Sequence, residues 1–103
     1  MTKQELVAKM QEAQAWIPGK RVKIDFGAED GAILLDGAEG SATDIPSDAN
    51  AADTTIKVSW DDWQAMADGQ LDGMTAFMTG KLKVEGDMGN AMQLQSVLGK
   101  LRG

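Results

Sequence analysis

Three short stretches of the chain alternate apolar and polar residues with a period of two, and this limits the fold more than any other feature. In KRVKIDF (20–26) Val22, Ile24 and Phe26 fall on one side, and Arg21, Lys23 and Asp25 on the other. TTIKVSW (54–60) repeats the pattern with Ile56, Val58 and Trp60, and KLKVEG (81–86) with Leu82 and Val84. A strand points successive side chains to opposite faces, so each stretch reads as a strand with one face buried. Asp30-Gly31 offers a hairpin turn leading into AILLDG (32–37), with Ile33 and Leu35 as core candidates. EGSATDIP (39–46) is a weaker third strand stopped by Pro46, and SDANAAD (47–53) is a polar loop.

Helices are expected around these strands. TKQE (2–5) is a capping box, and Leu6, Met10, Ala13 and Ile17 then recur at helical spacing until Pro18-Gly19 ends the run. Ser59 or Asp61 can cap a short helix holding Trp63, Met66 and Ala67, which Asp68-Gly69 stops. Asp72-Gly73 precedes a short apolar turn, MTAFM (74–78), and Asp87 caps a final helix. Strands mostly in sequence, with helices at the ends and in one insertion, predict an α+β fold: a mainly antiparallel sheet covered on one side by helices.

Composition removes whole classes of chemistry. At 103 residues the chain is expected to form one domain, 1–103. It contains no cysteine and no histidine, which excludes disulfides, thiolate chemistry and the commonest metal ligand and general base. Four serines (Ser41, Ser47, Ser59, Ser96) therefore have no histidine to activate them. The segment DFGAEDGAILLD (25–36) has the length of a calcium loop, but its required glycine falls at position seven and its third position is Gly27. None of the Gly-Lys pairs, at Lys20, Lys81 and Lys100, has phosphate-loop spacing. No catalysis, no metal and no cofactor are expected. The net charge is −6, and no basic residue stands between Lys23 and Lys57, where eight residues are acidic, so nucleic acid is not an expected partner. No apolar run approaches the roughly 20 residues that span a bilayer, and the N-terminus lacks a secretion signal's apolar core. A cytoplasmic protein is expected.

Four of the seven methionines lie between Met74 and Leu101. Methionine fills irregular cores, but it also lines spaces that accept ligands of varying shape. At roughly 100° per residue, Met88, Ala91, Met92, Leu94, Val97, Leu98 and Leu101 cover about 220° of the final helix, more than one packed face needs. The excess must meet another helix, a partner protein or a ligand.

The segment AFMTGKLKVEGDMGNAMQLQ (76–95) resembles the sterol carrier protein type two family, whose signature is a Phe-x-x-Gly-Lys-Leu segment, a strand, a glycine and a Met-rich helix. The resemblance continues upstream through DTTIKVSWDDWQAMADGQLDGMTAF (53–77), so that residues 53–98 match well and residues 1–52 agree in element order. It implies a five-stranded sheet and helices enclosing an apolar tunnel for a lipid: a fatty acyl chain, acyl-CoA, phospholipid or sterol-like molecule. The expected lining is Phe26, Ile33, Leu35, Trp60, Met66, Met74, Phe77, Met78, Leu82, Val84, Met88, Met92, Gln95 and Leu98. Lys81 and Lys83, outward on their strand, are candidates for an anionic headgroup or transient contact with a membrane surface. The chain ends in LRG rather than a peroxisomal Ser-Lys-Leu type of address, which fits a free-standing module. A second reading, from the width of the apolar helix, is a protein-interaction module that docks on a partner.

Overall fold

The structure is a computed structural model that describes residues 2–49 and 52–86, together with residues 89, 93, 96, 97, 99 and 100. Each alternating stretch is a strand: β1 (Arg21–Asp25), β4 (Thr54–Val58) and β5 (Leu82–Gly86). With β2 (Ala32–Asp36) and β3 (Ser41–Ile45) they form one five-stranded sheet in the order β3-β2-β1-β4-β5. Three of its pairings are antiparallel and one, between the central strand β1 and β4, is parallel. The α+β, mainly antiparallel sheet expected from the sequence is thus observed.

Register explains which side chains meet. Val22 lies opposite Leu35 and Ile24 opposite Ile33, while across β4 Ile24 lies beside Ile56. Ile56 faces Val84 and Val58 faces Leu82. A single apolar face therefore runs across four strands. Its members Val22, Ile24, Ile33, Leu35, Ile56 and Leu82 are all buried. Each buried aliphatic side chain stabilises the fold by roughly 1.5–3 kcal/mol relative to exposure.

Helix α1 (Lys3–Ala13) covers the β3 end of this face. Thr2 caps it as expected: its hydroxyl oxygen accepts the Glu5 N–H at 3.1 Å. The return arm differs from a capping box, because the Glu5 carboxylate accepts the Thr2 hydroxyl at 3.2 Å. Gln11 and Lys3 then fix the helix on β3. The Gln11 amide oxygen accepts the Ala42 N–H at 2.9 Å, and Lys3 Nζ lies 2.6 Å from Asp44 Oδ1.

The helix ends earlier than the sequence suggested. Gln14 takes a left-handed conformation (φ 53°), and the Ala15 N–H reaches back five residues to the Met10 carbonyl at 2.9 Å. That bond satisfies a terminal carbonyl and turns the chain four residues before Pro18. Ile17 is buried, but from the loop rather than from a helical face. The loop packs against the β2–β3 turn so closely that a Cβ on Gly37 would stand 1.7 Å from the Ile17 carbonyl oxygen. Only glycine fits there.

The β1–β2 hairpin is also wider than a two-residue turn. Its loop is closed by the Phe26 N–H donating to the Gly31 carbonyl at 2.9 Å, and Gly31 supplies the positive φ of 76°. Asp36, at the end of the stretch tested as a calcium loop, instead binds Arg21 Nε at 3.2 Å and accepts the N–H groups of Ala38 and Glu39, each at 3.0 Å.

The polar loop after β3 has more structure than its composition suggests. To reach β4 it must cross β2 and β1, and it does so on the face opposite α1. Lys23 was expected to point into water; it is buried under this crossover. Its ammonium donates to the carbonyls of Ser47 and Ala49, the latter at 2.8 Å. A buried charge needs such partners, and backbone carbonyls provide them. Asp25 binds the same strap, accepting the Ser47 hydroxyl at 2.6 Å.

Candidate functional site

The site begins where β1 and β4 end. Phe26 continues the β1 alternation one residue past the strand and enters the core. Ser59 follows β4 and caps α2 (Trp60–Ala67), its hydroxyl oxygen accepting the Asp62 N–H at 3.1 Å. This cap fixes two indoles against Phe26. Trp60 meets the Phe26 ring edge-on at 5.1 Å between centroids and 87° between planes, and Trp63 meets it at 6.1 Å and 65°. Edge-to-face rings at this spacing contribute beyond their buried area. Trp63 is wholly buried, and its indole N–H has no hydrogen-bond partner among the described residues. Trp60, expected at a strand end, instead opens the helix and is half-buried.

Helix α3 (Gly73–Met78) follows, capped by Asp72, whose carboxylate accepts the Thr75 N–H at 3.3 Å. MTAFM, read as a short apolar turn and the second of two short helices before the last strand, forms with Gly73 a helix of six residues. Only Ala76 is buried on it. Met74, Phe77 and Met78 are 53%, 41% and 78% exposed, and they are the large apolar side chains exposed among the described residues. Their spacing, i, i+3 and i+4, places them on one stripe.

The structure divides the expected lining residues into groups. Phe26, Ile33, Leu35, Met66 and Leu82 are core residues, and Trp60 and Val84 pack half-buried against them. Met74, Phe77 and Met78 form the outward stripe. Met88, Met92, Gln95 and Leu98, and with them most of the wide apolar arc and the Asp87 cap, lie outside the described residues; Val97 of that arc is buried. Register separates Ile33 and Leu35, which sit on β2, from Phe26, Trp60 and Leu82 around β1, β4 and β5. Trp63, against Phe26, and Val58, opposite Leu82, belong with this latter group without having been expected as lining. The signal for Trp63 was its place one turn inside a capped helix directly after a strand.

Beside Phe26 and Val58 an open cleft of about 430 Å³ is lined by Asp25, Gly27, Lys57, Ser59, Gly80, Lys81 and Lys83. Burial pushes the Asp25 carboxyl up, but the Ser47 hydroxyl, the Gly27 N–H and the charges of Lys23 and Lys57 outweigh it, leaving its pKa below the ordinary 3.8. Asp25 therefore stays ionised at neutral pH. Among the described residues no three acidic side chains gather as a metal site, and no helix is long and apolar enough to cross a membrane.

This arrangement has relatives. The pattern of the SCP-2 sterol transfer family matches residues 2–99, and the chain belongs to that family. Sterol carrier protein 2 of Bos taurus is 35% identical over 77 residues, a stretch covering 75% of this chain and 14% of that protein. Hydroxysteroid dehydrogenase-like protein 2 of Xenopus tropicalis is 37% identical over 78 residues, covering 73% of this chain and 18% of that protein. The chain thus spans under a fifth of the length of these relatives. Among solved structures, sterol carrier protein domain 2 of Helicoverpa armigera superposes with a TM-score of 0.68 at 24% identity, covering 97% of this chain and 84% of that one. Palmitated SCP2L2 of Aedes aegypti gives 0.71 at 18% identity, covering 95% of each chain. These two share the fold.

Proposed function

We propose that the chain is a non-catalytic carrier that binds one lipid by apolar burial and transfers it. The observation that carries this reading is the α3 stripe. In a member of a sterol transfer family, two methionines and a phenylalanine stand in water on one side of a short helix packed beside β5. Exposure on this scale on so small an element marks a binding surface rather than packing. Phe26, Trp60, Trp63, Met66, Leu82 and Val84 form the inner wall of the proposed site, and Met74, Phe77 and Met78 its mouth.

The palmitated Aedes aegypti relative supports a long acyl chain as the ligand class. At roughly 0.8 kcal/mol per buried methylene, a sixteen-carbon chain supplies micromolar affinity after ordering costs. Methionine and leucine present the same soft surface to sterol, acyl-CoA and phospholipid, so shape discriminates weakly among them.

Titration of the delipidated chain with palmitate tests the proposal, read by Trp60 and Trp63 fluorescence. Saturable binding at one site per chain is expected. Failure of palmitate, palmitoyl-CoA, a phospholipid and cholesterol alike to bind would remove the carrier reading.

A further inference from the structure

Lys57 and Lys83 are direct partners across the β4–β5 pair. Like charges in that relation repel, with Cβ atoms roughly 5 Å apart, so the pairing needs a reason. Both line the cleft beside Phe26, and Lys81 joins them two residues along the chain. Three of the chain's ten basic residues thus share one concavity in a molecule of net charge −6.

The acidic groups nearby, Asp25 in the cleft and Glu85 against Lys57, offset part of this charge and leave the lysines in excess by one. Asp25 is bound by the Ser47 hydroxyl at 2.6 Å and the Gly27 N–H at 2.8 Å. Glu85 lies 3.3 Å from Lys57, and both ends of that pair are about half exposed or more, at 49% and 62%. Such a pair holds weakly. Lys81 and Lys83 have no ion-pair partner among the described residues. The cleft, about 430 Å³ against roughly 30 Å³ for a water molecule in the liquid, has room for a compact anion. Phe26 and Val58 also border it, their side chains buried on the other face of the sheet.

We infer that the cleft where β4 ends and β5 begins is an anion subsite, in which Lys57, Lys81 and Lys83 hold a phosphate. The inference rests on the lipid-carrier reading for the source of that phosphate, a lipid headgroup; the same lysines would also take free phosphate. Lysine binds phosphate as a point charge without the fixed fork of arginine, which suits headgroups of differing shape.

The test compares dodecyl phosphate with dodecanol, equal in chain and different in charge, on the full chain. At about 10 mM salt, where charges act over roughly 30 Å, dodecyl phosphate should bind about tenfold more tightly; at about 1 M the two should agree within about twofold. Replacing Lys57, Lys81 and Lys83 together by Gln should abolish the preference and leave dodecanol binding unchanged. Glu85→Gln, which removes the carboxylate from Lys57, should tighten dodecyl phosphate binding by about twofold to threefold. A preference that survives the triple replacement overturns the inference. Inorganic phosphate alone separates the sources: if it moves the Lys57 and Lys83 amide resonances and competes as strongly as dodecyl phosphate, the subsite takes the free ion. Should neither amphiphile bind, the carrier reading fails. The subsite then stands if inorganic phosphate moves those resonances, and falls with it if phosphate does not.

Discussion

Helices α1 and α3 use their apolar residues in opposite ways. Along α1, Leu6 and Met10 stand one turn apart and are 1% and 0% exposed, with Val7 and Ala13 packed half-buried beside them. Along α3 the inward position is an alanine, while Met74, Phe77 and Met78 face out. A large apolar side chain left in water forgoes roughly 1.5–3 kcal/mol of burial. Helix α1 is accounted for by stability, since its apolar residues complete the core over β3. Helix α3 is not, and its stripe is better explained by something the protein binds.

The widest separation between the two helices should come from truncation. Met10→Ala removes a fully buried side chain and should cost about 2–5 kcal/mol, read from the urea midpoint of the delipidated chain. Replacing Met74, Phe77 and Met78 together by Ser should move that midpoint little, since exposed positions usually change stability by about 0.5 kcal/mol or less each. Palmitate affinity should instead fall on the order of tenfold to a hundredfold, because three anchors of the mouth are lost. Normal affinity in the triple variant would detach α3 from the lipid site and leave its exposure without this explanation.

The contrast between these helices was only half visible in the sequence. Thr2, Ser59 and Asp72 stand where caps belong, and the alternation in β1, β4 and β5 announces which residues share a face. What alternation does not contain is the partner of each face. It sent Lys23 to solvent, whereas the crossover after β3 covers it, because that path depends on strand order and not on local pattern. The parallel pairing of β1 with β4 has the same cause. The end of α1 was hidden differently: Gln14 adopts a conformation usually signalled by glycine, and the stop comes from a backbone bond to Met10. For the site, Phe26, Trp60 and Leu82 follow from alternation alone. That MTAFM would bury its alanine and turn its larger residues outward depends on how a six-residue helix docks beside β5. Lys57 joined Lys81 and Lys83 only through cross-strand register.

The smallest expected effect is also the sharpest comparison, because it makes the same kind of change in both helices. Thr2 and Asp72 each cap an N-terminus by accepting an N–H three residues on, at 3.1 and 3.3 Å. Removing such a cap costs about 1 kcal/mol in the helix that bears it. For Thr2→Ala the cost should appear in full as a lower urea midpoint, since α1 buries Leu6 and Met10 and cannot open without breaching the core. Helix α3 buries one alanine, so it can open by itself, and a weakened cap should be felt there first. Asp72→Ala should therefore speed hydrogen exchange about fivefold at the Ala76 and Thr79 amides, which donate to Asp72 and Thr75 carbonyls, while the midpoint moves by less than about 0.5 kcal/mol. It should also weaken palmitate binding more than Thr2→Ala does, because a frayed α3 no longer presents its stripe as one surface. If Asp72→Ala lowers the midpoint as far as Thr2→Ala, α3 opens only with the whole domain, and the division between a structural helix and a binding helix falls.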